Sequence, residues 1–385
     1  MAEGLLGFLK CLKSSYLAGE LFNSSRLLIV CGNESADLDS VVSAITYAYF
    51  SYIKNPGVQI VPVINILKAD LELRRDIVWV LKKRNIPHNL LYFHEDLHDM
   101  RKRFRGPIEA VLVDHNDSQS LAKKVVDSVV GIIDHHEDLG LHKDISERHG
   151  GPRIIRPAGS CSSLVFNFWN ESLKNGSEQK FGGSDALSLC LGALLIDTTN
   201  MAYKVEDPDK EAHAAYKELL PNVDFEVYSS QLRQAKDDIA GLSLRDILRK
   251  DYKEFVFSKT KGTVKCGFAS VVKPFNWINA QFPDQQFLEA CSKFVDERNL
   301  DLLLILTSWT DSKAQFKRQI ALYVKEKRSM EVSSKVIENI TALLKLQSIE
   351  VLEAPCENCA FFAQLNTNAS RKQVVPYVQE ACRAI

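Results

Sequence analysis

At 385 residues the chain is too long for one ordinary core and predicts two domains of roughly 150–200 residues each. Its 48 Lys+Arg balance 49 Asp+Glu, a formal charge of −1, which excludes broad nucleic-acid binding but leaves room for a local basic pocket for a small or linear anion. Nine cysteines without framework spacing argue against a disulfide scaffold and predict reduced thiols in a cytoplasmic setting.

The opening "MAEGLLGFLKCLKSSYL" reads as an amphipathic helix packed on its domain rather than a signal peptide, because lysines interrupt its apolar face and no small-residue cleavage site follows. No apolar stretch reaches the roughly 18 residues of a membrane span. The first half then alternates. "RLLIVCGN" (26–33), "VQIVPVINI" (58–66), "IEAVLVDHN" (108–116) and "VVGIIDHH" (129–136) read as strands. "LDSVVSAITYAYFSYIKN", "LRRDIVWVLKKRN", "SSLVFNFWNESLK" and "ALSLCLGALLIDT" have helical spacing. Near-continuous Val/Ile/Leu strands between helices predict a parallel sheet covered on both faces. "VEDPDKEAHAAYKELLPNVDFE" (205–226), punctuated by Pro208 and Pro221, is the candidate hinge, giving domains 1–220 and 221–385. From about Asp224 the pattern changes to a smaller α/β domain with a mixed or antiparallel sheet, its strands at "EFVF", "VKCGFASVV", "LDLLLILTSW" and "RQIALYVK".

Apolar runs of the first half end on acids and histidines. "CGNESADLDS" brings Asn33, Asp37 and Asp39; "VLVDHND" brings Asp114 and His115; "GIIDHH" brings Asp134, His135 and His136; "LLIDTTN" brings Asp197. In open parallel sheets ligands bind beyond the carboxyl ends of the strands, so these segments are expected at one edge. Singly, such an Asp is a helix cap and such a His a core residue. Four such endings in succession are a site. Converging carboxylates repel unless a cation neutralises them. Asp37, Asp39, Asp114, His135 and Asp197 are too many ligands for one tetrahedral ion and suit two octahedral ions sharing one carboxylate. A hydroxide held between two cations, with the same pair clamping a phosphoryl group, predicts phosphoester or phosphoanhydride hydrolysis.

The quartet "NESADLDS", "LVDHND", "IIDHH" and "LLIDTTN" resembles, in order, the metal motifs of the DHH phosphoesterase superfamily. "DYKEF" (251–255) and "SRKQVVP" (370–376) resemble the C-terminal domain of family II inorganic pyrophosphatases, prune-type proteins and fungal cytosolic exopolyphosphatases. The resemblance implies that Asp37 binds one ion, that Asp39, His135 and Asp197 bind the other, and that Asp114 bridges them. It implies that Asp134 orients a neighbouring ligand, that His115 and His136 face the phosphates and protonate the leaving oxygen, and that Lys253, Arg371 and Lys372 bind the anion as the two domains close over it. Most relatives begin the first motif with histidine where this chain has Asn33, leaving at most a weak or indirect metal contact there. Loss of that nitrogen favours Mg²⁺ over Mn²⁺ or Co²⁺ and points away from the pyrophosphatases.

The expected activity is therefore an exopolyphosphatase, a monomer acting on inorganic polyphosphate and also on short phosphate chains attached to nucleosides, such as nucleoside tetra- and pentaphosphates. The alternatives are a family II-like pyrophosphatase, a prune-type nucleotide phosphodiesterase, or a non-enzymatic regulator that binds metal and polyanion. Gly159, Ser160, Ser162 and Ser163 before a helix read as caps, with phosphate binding as the rival reading. Arg74 and Arg75 read as a solvated face. "CENC" (356–359) reads as structural.

Overall fold

The computed structural model describes residues 4–119, 121–145, 147, 150–173, 181–260, 262–324, 330–353 and 356–383. The chain forms two compact units, Met1–Asp238 and Ile239–Ile385. The boundary expected at residue 220 falls inside the first unit, because helix Phe225–Asp237 packs on helices Arg75–Lys83 and Ser184–Asp197. The expected hinge is itself a helix, Asp207–Leu219. Pro208 lies in its first turn, where the missing N–H has no partner to lose, and Pro221 follows its end.

In the first unit β1 (Leu27–Cys31), β2 (Ile60–Val63), β3 (Ile108–Val113), β4 (Ser128–Asp134) and β5 (Arg153–Ile155) form a parallel sheet in the order β2-β1-β3-β4-β5. Residues of β1 to β4 are buried at nearly every position rather than alternately, so both faces are covered. Pro62 is tolerated within β2 because that strand lies at the sheet edge. Helix Leu38–Lys54 covers β1 and β2, and helix Gly4–Ala18 buries Leu5, Phe8, Leu9, Leu12 and Tyr16 in the same core, as its spacing predicts.

The second unit has one sheet, β10 (Leu346–Ser348), β11 (Cys359–Gln364), β9 (Phe316–Tyr323), β8 (Leu302–Thr310), β7 (Gly262–Val271) and β6 (Tyr252–Lys259), in that order. All neighbours are antiparallel except β7 and β8, which are parallel because helices Phe275–Gln281 and Asp284–Arg298 lie between them in the chain. Two apolar clusters flank this sheet. One contains Val336, Ile340, Val374 and Val378 from helices Met330–Leu344 and Arg371–Arg383; the other contains Phe275, Phe287 and Phe294. No helix among the described residues is long and apolar enough to cross a membrane.

Candidate functional site

The sheet order of the first unit decides where the site lies. After β1 the chain turns to β2 on one side, and after β3 it turns to β4 on the other. The loops leaving β1 and β3 therefore part and open a crevice at the strands' carboxyl ends. Asn33 leaves β1 and Asp114 leaves β3. Asp114 has a positive φ of 63°, which a β-branched residue would resist and Asp tolerates. Asp134 ends β4, and His135 and His136 follow it.

These groups meet. Asp114 is 2% exposed, with Oδ1 3.1 Å from His135 Nε2 and Oδ2 accepting from Asn33 Nδ2 at 2.5 Å. Asp39 Oδ2 lies 3.9 Å from the same imidazole nitrogen. His135 Nδ1 donates to the Ala158 carbonyl at 2.8 Å, which turns Nε2 toward the two carboxylates. Buried Asp134 accepts from the His135 and His136 backbone N–H groups, from His136 Nδ1 at 2.8 Å and from Asn116 Nδ2. His115 is buried, bonded through Nδ1 to the Val113 carbonyl at 2.9 Å, and its Nε2 is without a partner. Asn33, Asp114, His115, Asp134 and His136 line an open cavity of about 400 Å³.

Burial raises Asp114 to about 8, with the charges of Asp39 and Asp37 adding and the His135 hydrogen bond opposing. Burial also raises Asp39, against the opposing charge of His135, and pushes Asp197 well above its usual value with Asp39 and Asp37 adding. For His135 burial works against the charge, yet the Asp114 hydrogen bond and the Asp39 charge hold the ring up at about 10. Asp134 differs: burial is outweighed by the bonds from His136 and Asn116, which hold its carboxyl below the usual range. Burial keeps His115 below its ordinary value.

Some residues stand otherwise than the sequence suggested. Asp197 closes helix Ser184–Asp197, the helix its spacing predicts, so of the four endings it is the one that leaves a helix and not a strand; an acid there faces the negative end of the helix dipole, and its buried Oδ2 has no hydrogen-bond partner. Asp37 is exposed and caps helix Leu38–Lys54 through Ser40 N–H. Asn33 has both ends of its amide engaged: Nδ2 on Asp114, Oδ1 on the N–H groups of Ser35 and Ala36. Gly159, Ser160, Ser162 and Ser163, read as caps with phosphate binding as the rival, lie at the start of helix Cys161–Leu173, and that start holds Asp39. Ser160 Oγ and Ser162 N–H donate to Asp39 Oδ1, both at 2.7 Å, and Cys161 N–H donates to Oδ2 at 2.6 Å. Arg74 donates to the Ser35 carbonyl and Arg75 to that of Asp238, so neither is merely a solvated face. Asn116 and Cys161 were missed; nothing in the residues around them distinguishes them from loop and core positions.

In the second unit Arg371, the first residue of its helix, donates Nη2 to Asp251 Oδ1 at 2.7 Å and Nη1 to the Asp251 carbonyl at 2.9 Å. That contact ties Arg371 and exposed Lys372 to the start of β6, where exposed Lys253 lies. All nine cysteines are free thiols; Cys356 and Cys359 are half-buried and joined by a backbone turn.

The donors, carboxylates with imidazoles, suit a divalent cation. Ligand atoms of Asp114, His135 and His136 lie within 4.8 Å of one another, Asp39 and Asp197 add buried carboxylates, and the Asp197 Oδ2 orphan lacks the partner that a cation would be.

The DHH family N-terminal domain matches residues 27–194 and the DHHA2 domain matches residues 230–381. The chain is 31% identical to the "Putative exopolyphosphatase" of Schizosaccharomyces pombe, over 92% of this chain and 91% of that one. It is 27% identical to "Exopolyphosphatase PRUNE1" of Homo sapiens, over 96% and 79%. Identity to the "Manganese-dependent inorganic pyrophosphatase" of Bacillus subtilis is 26%, over 83% and 93%. The fold is that of a Methanococcus jannaschii protein described as a putative family II inorganic pyrophosphatase, at 20% identity and a TM-score of 0.50, covering 93% of this chain and 99% of that one. With both domains in order and that identity to the fission-yeast protein along nearly its whole length, this chain belongs to the DHH family, in the branch whose second domain is DHHA2.

Proposed function

We propose that this chain is a metal-dependent exopolyphosphatase that releases terminal orthophosphate from inorganic polyphosphate, and also acts on nucleoside tetra- and pentaphosphates. The observation that carries the reading is the convergence of buried Asp39 and Asp114 on His135 Nε2, with the Asp197 carboxyl raised by burial and by the charge of Asp39. Asp39, Asp114, His135 and Asp197 would hold one divalent ion and Asp37 with Asp114 a second, Mg²⁺ being favoured and Mn²⁺ or Co²⁺ accepted. When bound, such ions supply the positive charge that neutralises phosphate oxygens and acidifies water.

The chain's own groups do the rest. The Ala158 carbonyl fixes the His135 ring, and Asn33 acts on metal only through Asp114. His115, with Nε2 unpartnered, serves as a phosphate contact. His136 is half-exposed and anchored by Nδ1 to Asp134, which leaves Nε2 to carry a proton to the leaving oxygen as the bridging P–O bond breaks and water oxygen bonds to the terminal phosphorus. Lys253, Arg371 and Lys372 bind the chain's phosphates, the guanidinium as a fork and the lysines as point charges. Nine free thiols support a cytoplasmic setting, and we read the protein as a monomer.

One assay tests the proposal: orthophosphate release from pyrophosphate, tripolyphosphate and long-chain polyphosphate with Mg²⁺, Mn²⁺ and Co²⁺. Tripolyphosphate and longer chains are expected to be cleaved and pyrophosphate hardly at all. Preferential cleavage of pyrophosphate would replace the reading with that of a pyrophosphatase, and no release from any length with any ion would leave a binding protein.

A further inference from the structure

Asp209 is fully buried, yet the chemistry above makes no use of it. It sits in the first turn of helix Asp207–Leu219, where an acid ordinarily accepts from the N–H three residues earlier, and it does so with Glu206 N–H at 2.9 Å. That local role accounts for one of its four hydrogen bonds. The other three come from a turn 46 to 50 residues earlier: Gly159 N–H at 2.6 Å, Ser163 Oγ at 2.8 Å and Ser160 N–H at 3.3 Å.

That turn also holds two of the proposed metal ligands. The Ala158 carbonyl fixes the His135 ring, and Ser160 Oγ, Cys161 N–H and Ser162 N–H take both oxygens of Asp39. Along residues 158–163 the contacts to the site and the contacts to Asp209 interleave, so neither set can shift alone. Gly159 packs the turn closely against the segment that follows Asp197. A Cβ there would lie 2.5 Å from the Lys204 carbonyl, 2.6 Å from Thr198 Cγ2 and 3.0 Å from Asp209 Oδ2. The segment it meets carries positive φ at Thr199, Asn200 and Met201, a left-handed run that surrounding contacts must hold.

We propose that Asp209 is a positioning residue for the metal centre: its carboxylate clamps the 158–163 turn, and through that turn sets the His135 ring and the Asp39 carboxylate. The inference rests on the reading of that cluster as a divalent-metal site. Asp209→Asn keeps the shape but turns one accepting oxygen into an NH₂ facing N–H and O–H donors.

The test is Mn²⁺ titration calorimetry and the Co²⁺ absorption spectrum of wild type, Asp209→Asn and Ser163→Ala, with circular dichroism of the chelated proteins as the check on folding. Wild type is expected to bind Mn²⁺. Asp209→Asn is expected to stay folded but to bind about tenfold or more weakly with an altered Co²⁺ spectrum. Ser163→Ala, which loses one bond of four, is expected to bind about threefold more weakly. Wild-type Mn²⁺ affinity and spectrum in a folded Asp209→Asn protein would overturn the inference, even if its melting temperature fell, since the residue would then be only structural. If Asp209→Asn does not fold, Ser163→Ala decides: a loss of about threefold supports the clamp and unchanged affinity overturns it. Absence of Mn²⁺ binding in wild type would overturn the metal reading and this inference with it, whereas binding in wild type matched by both variants would overturn this inference alone.

Discussion

The Asp114 carboxylate meets side chains, whereas that of Asp39 also takes two backbone N–H groups. Asp114 has His135 on one oxygen, the Asn33 amide on the other, and His136 at 3.8 Å, all from a backbone turned left-handed at the strand end. If both ions share it, Asp114→Asn removes a donor from each. Metal-dependent phosphate release is then expected to fall by more than the roughly 100-fold upper cost of losing an outer partner, with the fold retained by circular dichroism. A smaller loss would mean that Asp114 is not shared. Asn33 asks the converse question. Asn33→His is expected to tighten Mn²⁺ or Co²⁺ and to shift cleavage toward the shortest substrates, read as dissociation constants and the ratio of pyrophosphate to polyphosphate turnover. Unchanged metal preference would show that the amide is not what sets it. Residues at this scale were legible where an apolar run stops on an acid or histidine, as at Asp114 and Asp134. Asp209 was not, because an acid in the first turn of a charged helix is what ordinary capping produces, and only the fold brings residues 159 to 163 onto it.

Two helix ends do opposite things to the acids they meet. The first turn of Cys161–Leu173 gives Asp39 two backbone donors and a hydroxyl, so the positive end of the helix dipole stabilises a carboxylate where a phosphate was the rival expectation. The last turn of Ser184–Asp197 sets Asp197 against a negative end, which only a proton or a cation relieves. Sequence gives the helical spacing and apolar character of these helices but not what their ends will meet, since that depends on where the sheet delivers the β1 and β4 loops. The close packing of the two regions has a direct consequence. Gly159→Ala adds a methyl 2.5 Å from the Lys204 carbonyl and 2.6 Å from Thr198 Cγ2, and neither backbone carbonyl nor β-branched side chain moves easily. Destabilisation of about 1–3 kcal/mol is expected in thermal or denaturant unfolding. An unchanged midpoint would mean that the Thr198–Lys204 segment yields.

For the whole molecule, the strand–helix alternation of the first half was readable because continuous Val/Ile/Leu runs have few other uses. In the second half the sheet is mixed, within the mixed or antiparallel expectation, but β11 escaped and which pair runs parallel was not legible, since pairing direction depends on where the intervening helices pack. What the first unit does without metal follows from its buried charges. Asp114 is raised to about 8 from the ordinary carboxylate value, so its contribution to stability is complete below about pH 4 and is lost as pH rises through 8. His135, raised to about 10, contributes fully below about pH 6.5 and loses that contribution as pH rises through 10. Both act in the same direction. His94, His115 and His213 are lowered by burial and act in the opposite direction, but their contribution is already complete above about pH 6.5. Buried thiols such as Cys31, Cys161 and Cys190, raised by burial, begin to cost stability only as pH nears the ordinary thiol value of about 8.5. The window from pH 7 to about 8 therefore isolates the site. The chelated protein is expected to melt at progressively lower temperature across it, and a rise instead would mean that these acids do not retain protons. A divalent cation replaces those protons, so its affinity increases with pH and binding releases protons. At a hundredfold excess over its dissociation constant an ion adds about 2.7 kcal/mol, roughly 5–10 °C for a unit of this size. At one fixed Mg²⁺ or Mn²⁺ concentration the gain should be larger at pH 8.5 than at pH 7; equal gains would separate metal binding from the Asp114–His135 pair.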